Sequence, residues 1–304
     1  MDRNRNLAIF LGLIAALFFA VTFVLNRLMS TEGGSWIWSS SFRFFFMVPF
    51  LFVIVLTRKG IRPLIQVMKQ DIGSWILWST IGFGIFYAPL TFSALYAPSW
   101  IVASTWQVTI IAGVLMAPLL SKNKKVISGK AMGFSLIILI GIAIMQIKQA
   151  TTVGTKEIIL GVVPVLIAAF AYPLGNRKMM AITNGQLDAF QRTLGMTIAS
   201  LPFWIILGTI GVFTVELPQP AQLTQTLIVA LSSGVIATSI FFKATDLAHK
   251  DHRQLASVEA TQSGEVFFAL IGELLILGGH LPDVYSMIGI GFVILGMILH
   301  SLKH

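Results

Sequence analysis

Polar positions in this chain are sparse, and the residues between them form long apolar runs. They show neither the ten-residue alternation of a β-barrel nor the one-sided stripe of a soluble helix. About 20 apolar residues in a helix span a hydrocarbon core roughly 30 Å thick. Ten runs reach that length: 7–29, 36–57, 72–95, 99–120, 127–147, 158–180, 190–213, 223–247, 254–277 and 283–302. The connections are short and leave little chain for any domain outside the membrane. The first run is too long, and lacks an evident cleavage site, to read as a removable signal peptide. The pattern predicts an all-α polytopic membrane protein with ten transmembrane helices.

The runs also repeat. Leu11-Gly12 and Asn26-Arg27-Leu28-Met29 in the first run match Leu160-Gly161 and Asn176-Arg177-Lys178-Met179 in the sixth. Phe42-Arg43 followed by Pro49-Phe50 in the second is echoed at a longer spacing by Arg192 and Pro202-Phe203 in the seventh. Aligning Gln107 of the fourth run with Gln262 of the ninth sets Pro118-Leu119-Leu120 against Glu273-Leu274-Leu275. The matches keep their order at an offset of five spans. Five is odd, so the halves would enter the membrane from opposite sides. The expectation is two inverted five-helix repeats, 1–150 and 151–304, in one integrated membrane domain. Many secondary transporters use this plan for alternating access around a midplane site.

Composition narrows the function. Hydrophobic residues make up 56% of the 304 and charged residues 11%, less than half the share usual in soluble domains. That excludes a soluble enzyme and a disordered chain. The net charge of +9 fits loops facing an anionic membrane surface better than a nucleic-acid footprint. With no cysteine, a disulfide framework and a thiol nucleophile are excluded, and the residues predict no metal site or cofactor. With the N-terminus inside, fifteen basic residues fall in cytoplasmic segments (Arg3, Arg5, Arg58, Lys59, Arg62, Lys69, Lys122, Lys124, Lys125, Lys130, Arg177, Lys178, Lys250, Arg253, Lys303) against Arg27, Lys148 and Lys156 opposite. This asymmetry predicts cytoplasmic N- and C-termini in the plasma membrane. Trp36, Trp38, Trp75, Trp78 and Trp100 lie near run ends, as interfacial anchors do.

The chain resembles the drug/metabolite transporter superfamily and, within it, the multidrug-resistance efflux transporter family. The resemblance covers the whole chain: two five-helix repeats, an Arg near the start of the second helix of each, and Ala94-Leu95-Tyr96 closing the third run. Its best-defined piece is Glu259 followed fourteen residues later by Gly272-Glu273, similar to the Glu-Pro … Gly-Glu signature of the superfamily's second repeat. Position 260 is Ala rather than Pro, and Ser104 and Pro118 stand where the first repeat would carry its glutamates. Small four-helix members couple protons through a carboxylate in their first helix. Runs one and six have no interior Asp or Glu, so that mechanism does not carry over. The resemblance implies export of small organic molecules.

A charged group at membrane depth costs on the order of 2.5–3.5 kcal/mol on insertion scales and normally faces a cavity or a partner. The ninth run is richest, with Glu259, Gln262, Ser263 and Glu273 on one face and Glu265 at its flank. Glu265 lies about 16 Å into the span, near the middle, where a carboxylate could exchange protons or bind a cationic substrate. A permanent ion pair to Arg43, Arg192 or Lys243 is the structural alternative. Gln107 mirrors Gln262, and Trp106 beside it offers an aromatic face for a flat or cationic molecule. Tyr87 and Tyr172 each stand one or two residues before an interior proline. By depth, Arg43 is expected to neutralise Glu273, Lys243 to pair with Glu259, and Arg192 to snorkel. The expected function is a proton-coupled secondary transporter exporting drug-like cationic or aromatic molecules. Alternatives are an exporter or exchanger of a neutral or anionic metabolite, such as an amino acid or nucleobase, anchored by Arg43, and, remotely, an intramembrane enzyme. Catalytic Ser/His or paired Asp residues at membrane depth are lacking, no P-loop occurs, and the histidines of the 246–253 stretch match no zinc spacing. Expected partners are substrate, lipid and protons rather than nucleic acid. Ten spans with an internal repeat suffice for a complete pathway in a monomer.

Overall fold

The computed structural model describes residues 2–58, 60–120, 129–152, 154–248 and 252–302, and among them the regular structure is helical. Within the described residues each apolar run is found as helix. The first two are α1 (Asp2–Thr31) and α2 (Trp36–Arg58). A short helix, α3 (Arg62–Gln70), follows, which the run pattern treats as loop; Leu64 and Val67 are its buried side. The third run is α4 (Ile72–Ser79), π-helical turns over Thr80–Ile85, and α5 (Phe86–Ser93). Asp71 caps α4 by accepting from the Ser74 N–H at 3.0 Å. The fourth is α6 (Ser99–Trp106) and α7 (Val108–Leu120), parted at Gln107, and the fifth is α8 (Gly129–Thr152).

The second half is built alike. It begins with α9 (Thr155–Thr183) and α10 (Ala189–Thr214). Then come α11 (Pro220–Val229), π-helical turns over Ala230–Ala237, and α12 (Thr238–Ala248). The ninth run is α13 (His252–Ala260), a 3₁₀ turn at Thr261–Ser263, and α14 (Gly264–Ile276); α15 (Val284–Leu302) ends the chain. Among the described residues, six stretches are long and apolar enough to cross a membrane: Arg5–Thr31, Trp36–Arg58, Ile72–Ser93, Thr155–Thr183, Ala189–Thr214 and Pro220–Ala248. The other runs are interrupted, at Gln107 and Thr261–Ser263, or carry shorter apolar cores, Gly133–Met145 and Val284–Leu299.

The distribution of polarity is that of a protein whose solvent is lipid. Phe10, Leu17, Val53, Ile206, Phe213 and Leu275 face outward, while Ser39, Ser40, Ser41, Thr193, Thr197 and Ser200 are buried. Their hydroxyls need partners in an apolar interior. Ser40, Thr193 and Thr197 donate to the carbonyl four residues earlier, at 2.8 Å each.

Helices pair in a regular way. α2 lies along α10 and α8 along α15; α1 packs on α12 and α14, and α9 on α5 and α7; α6 meets α14. Small residues permit the closest of these approaches. A Cβ on Gly175 of α9 would stand 2.3 Å from the Gly82 Cα and 2.8 Å from the Trp78 carbonyl oxygen. Backbone cannot yield as a side chain can, so G175A should destabilise the fold by about 1–3 kcal/mol, read as a lowered thermal midpoint in detergent. An unchanged midpoint would mean that α9 and the Thr80–Ile85 turns are not held this close.

Packing overrides several expectations drawn from position along the runs. Trp38, Trp75 and Trp100 are buried rather than interfacial. Trp75 is wholly enclosed and packs where any side chain at Gly195 would stand, and the Trp38 indole donates to the Glu216 carbonyl at 2.7 Å. Arg192 does not snorkel. It is 2% exposed, pairs with Asp246 at 2.6 Å, and lies 4.5 Å from the Phe242 ring centroid. Of the loop charges, Lys59, Lys122, Lys124, Lys125, Lys250 and Lys303 lie outside the described residues, as do His249 and the side chains of Arg3, Lys130, Lys148, His252 and Arg253.

Candidate functional site

Glu265 is the residue around which the interior is organised. It stands in the first turn of α14, just after the 3₁₀ turn, and is 1% exposed. The tighter turn shifts register relative to a regular helix and turns Glu265 towards a central cavity with Gln262. Across that cavity are Arg43 of α2, Phe86 and Tyr87 of α5, Trp106 of α6 and Tyr172 of α9. The sequence had separated these residues into five runs; the fold brings them to one place. Neither Glu265 oxygen has a hydrogen-bond partner, although the Trp106 indole lies nearby. The alternative, a permanent ion pair from Glu265 to Arg43, Arg192 or Lys243, is not formed.

Arg43, 3% exposed, is held without a carboxylate. Its Nη2 donates to Ser233 Oγ at 3.1 Å, and its guanidinium lies 4.0 Å from the Tyr87 ring centroid and 5.0 Å from that of Phe44. Ser233 sits in the π-helical turns and also meets Thr22 Oγ1 at 2.5 Å. The Ser233 carbonyl accepts the π-type bond from the Thr238 N–H and also accepts from Thr238 Oγ1 at 2.8 Å. Phe44 stacks on Trp204 with centroids 4.4 Å apart, so the ring beneath the guanidinium is fixed in turn. The Arg43 Nε has no acceptor. Sequence reasoning missed Ser233, Thr22 and Asn26 as contributors; the only signal was a small-residue cluster, Ser232-Ser233-Gly234, inside an apolar run.

The other wall is aromatic. Phe86 and Tyr172 centroids are 4.8 Å apart, Phe86 and Trp106 5.0 Å, and Trp106 and Tyr172 5.6 Å. The space left measures about 20 Å³, room for one water molecule. As folded here, the cavity is too small for an organic substrate. Gln107 Nε2 reaches the Gln262 carbonyl at 3.4 Å, so the two interrupted helices touch beside it at the positions that the repeat aligns.

Carboxylates of the same run hold its two ends. Glu259 is clasped by Arg177 of α9, Nη2 lying 2.7 Å from Oε2 and 2.8 Å from Oε1, while Arg177 Nη1 donates to the Gly113 carbonyl at 2.5 Å. Lys243, the expected partner, is exposed on α12. Charge counting had assigned Arg177, at the end of the sixth run, to a cytoplasmic segment; α9 continues to Thr183. At the other end Glu273 accepts from the Ser99 N–H at 2.9 Å and from Ser99 Oγ. Arg43 is therefore not its partner. Arg27, the repeat counterpart of Arg177, caps the Ala94 and Leu95 carbonyls at 2.8 and 3.3 Å and lies within electrostatic reach of Glu273.

Gly113 explains how α7 comes so near the Arg177 pair. A Cβ there would stand 2.9 Å from Glu259 Oε2 and 3.0 Å from Arg177 Nη2. G113A should push the pair apart and cost about 1–3 kcal/mol, measurable as a lower thermal midpoint. A variant as stable as the parent would show that the pair can shift freely.

Beyond the Arg27 end lies a vestibule of about 500 Å³, lined by the turns after α1 and α10 and by Glu32, Glu216, Gln222 and Gln225. Below it, Asn26, Ser39 and Thr91 line a constriction with no room for water. Asn26 then donates to the Tyr87 hydroxyl at 3.1 Å, at the central cavity. A narrow polar neck thus separates the cavity from the vestibule.

Residues 6–304 match the EmrE family model, described as "putative multidrug resistance efflux transporter". The chain is 51% identical to an uncharacterized protein of Bacillus subtilis, YjlA, over 97% of this chain and 94% of that one. It is 46% identical to an uncharacterized 42.1 kDa protein of Shouchella clausii, over 85% of this chain and 70% of that one. A solved crystal structure shares the fold with TM-score 0.68 at 14% identity, covering 97% and 96% of the two chains.

Proposed function

The chain belongs to the multidrug resistance efflux transporter family, and from that premise we propose that it is a proton-coupled secondary transporter exporting small organic molecules with a cationic or aromatic group. The carrying observation is Glu265, a buried carboxylate without a hydrogen-bond partner, on a cavity walled by Phe86, Trp106 and Tyr172. Such a group is costly in an apolar interior and is explained if it alternately holds a proton and a substrate cation. Gln262, Gln107 and Tyr87 position or line the same site, with Arg43 opposite.

Ten spans arranged as two inverted five-helix repeats supply the alternating access. The irregularities recur five runs apart: π-helical turns in the third and eighth, interruptions in the fourth and ninth, interior prolines Pro49 and Pro202 in the second and seventh. Helix pairing supports the same two-fold. Exchanging each run for the one five positions on converts the α1 contacts with α12 and α14 into the α9 contacts with α5 and α7, converts α6–α14 into α13–α7, and leaves α2–α10 and α8–α15 unchanged. In this reading the protein works as a monomer in the plasma membrane with both termini cytoplasmic. The Arg177–Glu259 pair then closes the cytoplasmic side, and the vestibule opens outward.

The test is a thermal-shift screen of purified protein against organic cations, nucleobases and amino acids at two pH values, followed by transport of each hit in proteoliposomes. A hit driven uphill by an imposed proton gradient is expected. Hits whose movement ignores the gradient would remove proton coupling, and a purely anionic hit list would remove the cationic substrate class.

A further inference from the structure

Arg43 has no place in a site built for a cation alone. Its guanidinium and the Glu265 carboxylate line one cavity the width of a water molecule. Arg43 is 3% exposed with Nε lacking an acceptor, and Glu265 is 1% exposed with no charged donor, the neutral Trp106 indole being the donor near it. A cation bound to Glu265 would be held beside a fixed positive charge; an anion bound to Arg43 would meet Glu265. Neither charge can turn away. Arg43 is gripped by Ser233 and by the rings of Tyr87 and Phe44, and Glu265 is enclosed by the packed side chains around it.

We infer that the substrate is a small zwitterion with an apolar or aromatic body, its carboxylate (or equivalent anion) received by Arg43 and its ammonium by Glu265. This rests on the transport reading above and narrows it. A ligand with both charges supplies an acceptor to Arg43 and a donor to Glu265 at once. Its body then lies against the Phe86, Trp106 and Tyr172 wall, whose ring edges and faces suit apolar and π contacts. A guanidinium is the side chain best shaped to receive a carboxylate by two parallel hydrogen bonds. The one-water cavity is then the empty site, and binding requires the neck at Asn26, Ser39 and Thr91 or the opposite end to open.

Three matched probes decide the question on the unaltered protein: phenylalanine, phenethylamine without the carboxylate, and 3-phenylpropionate without the amine. Binding is measured by calorimetry in detergent. Phenylalanine is expected to bind at least tenfold more tightly than either analogue. R43Q should remove the preference for phenylalanine over phenethylamine, and E265Q the preference over 3-phenylpropionate. R43K, which keeps the charge but not the fork, should retain part of the first preference. Phenethylamine binding as tightly as phenylalanine would overturn the zwitterion and leave the cation exporter standing. Tighter 3-phenylpropionate would overturn both. Absence of binding by all three would overturn the zwitterion with an aromatic body, and the gradient-driven transport assay would still judge the wider reading. Because the comparison is complete on the parent protein, it decides even where R43Q fails to fold.

Discussion

Replacing Glu265 with Gln should abolish the pH dependence of substrate exchange while leaving the protein folded. Gln keeps the shape and adds a donor, so the buried site loses its charge without a cavity. What it loses is the proton. The charged or titratable groups that face Glu265 are Arg43 from α2, Tyr87 from α5 and Tyr172 from α9, and a carboxylate is the member of that set able to bind a proton and a cation alternately. Coupling between two ligands at one site is typically worth about 1–3 kcal/mol, or roughly 5–150-fold in affinity. In E265Q that factor should collapse towards one. The measurement is substrate exchange in proteoliposomes across a range of pH, with the parent showing a slope and the variant a flat line. A variant that keeps the parent's slope would take Glu265 out of the coupling role. E265D is a useful companion, because it keeps the titrating group but shortens its reach; it should retain a slope with weaker binding.

The positions of the helices were legible because membrane length and hydropathy constrain them tightly. The run 190–213 is α10 at Ala189–Thr214, and 36–57 is α2 at Trp36–Arg58. The alignment of Gln107 with Gln262, too, matched two residues that meet in space. Pairing was not legible. Depth along a run is one coordinate, while an ion pair needs three, and depth assigned Lys243 to Glu259 where Arg177 sits. Depth also cannot say which face a residue takes, so it placed Arg192 at the interface although Asp246 and Phe242 draw it inward. The π-helical turns went unseen because their cost is a local change of hydrogen bonding that Gly82, Gly84 and Gly234 tolerate without any charge or periodicity to mark it. Since those turns hold Ser233 against Arg43, the part of the site that depends on them was invisible as well.

The Arg177–Glu259 pair offers the second large effect. Its side chains are 13% and 12% exposed, so removing one partner strands a charge in a nearly dry place. Breaking a buried pair in this way costs about 3–5 kcal/mol, and the slight exposure here sets the expected loss for E259Q or R177M near ~3 kcal/mol. Removing both partners should cost less than the two single losses added together, because no lone charge remains. Thermal midpoints of the four proteins in detergent give the coupling. Strict additivity would mean that the pair does not hold the fold. The same variants test the proposal that the pair closes the cytoplasmic side. The chain has no cysteine, so a single one at Ala112, buried next to Gly113, reports access without background. E259Q should raise its reaction rate with a membrane-impermeant thiol reagent applied from the cytoplasmic side, because the state that the pair favours is depopulated. The double variant should keep the faster rate despite its partial recovery of stability, since a structural loss and a lost closure part company there. If labelling instead slowed whenever stability recovered, the pair would be a packing element and the closing contact would lie elsewhere along α7 and α13.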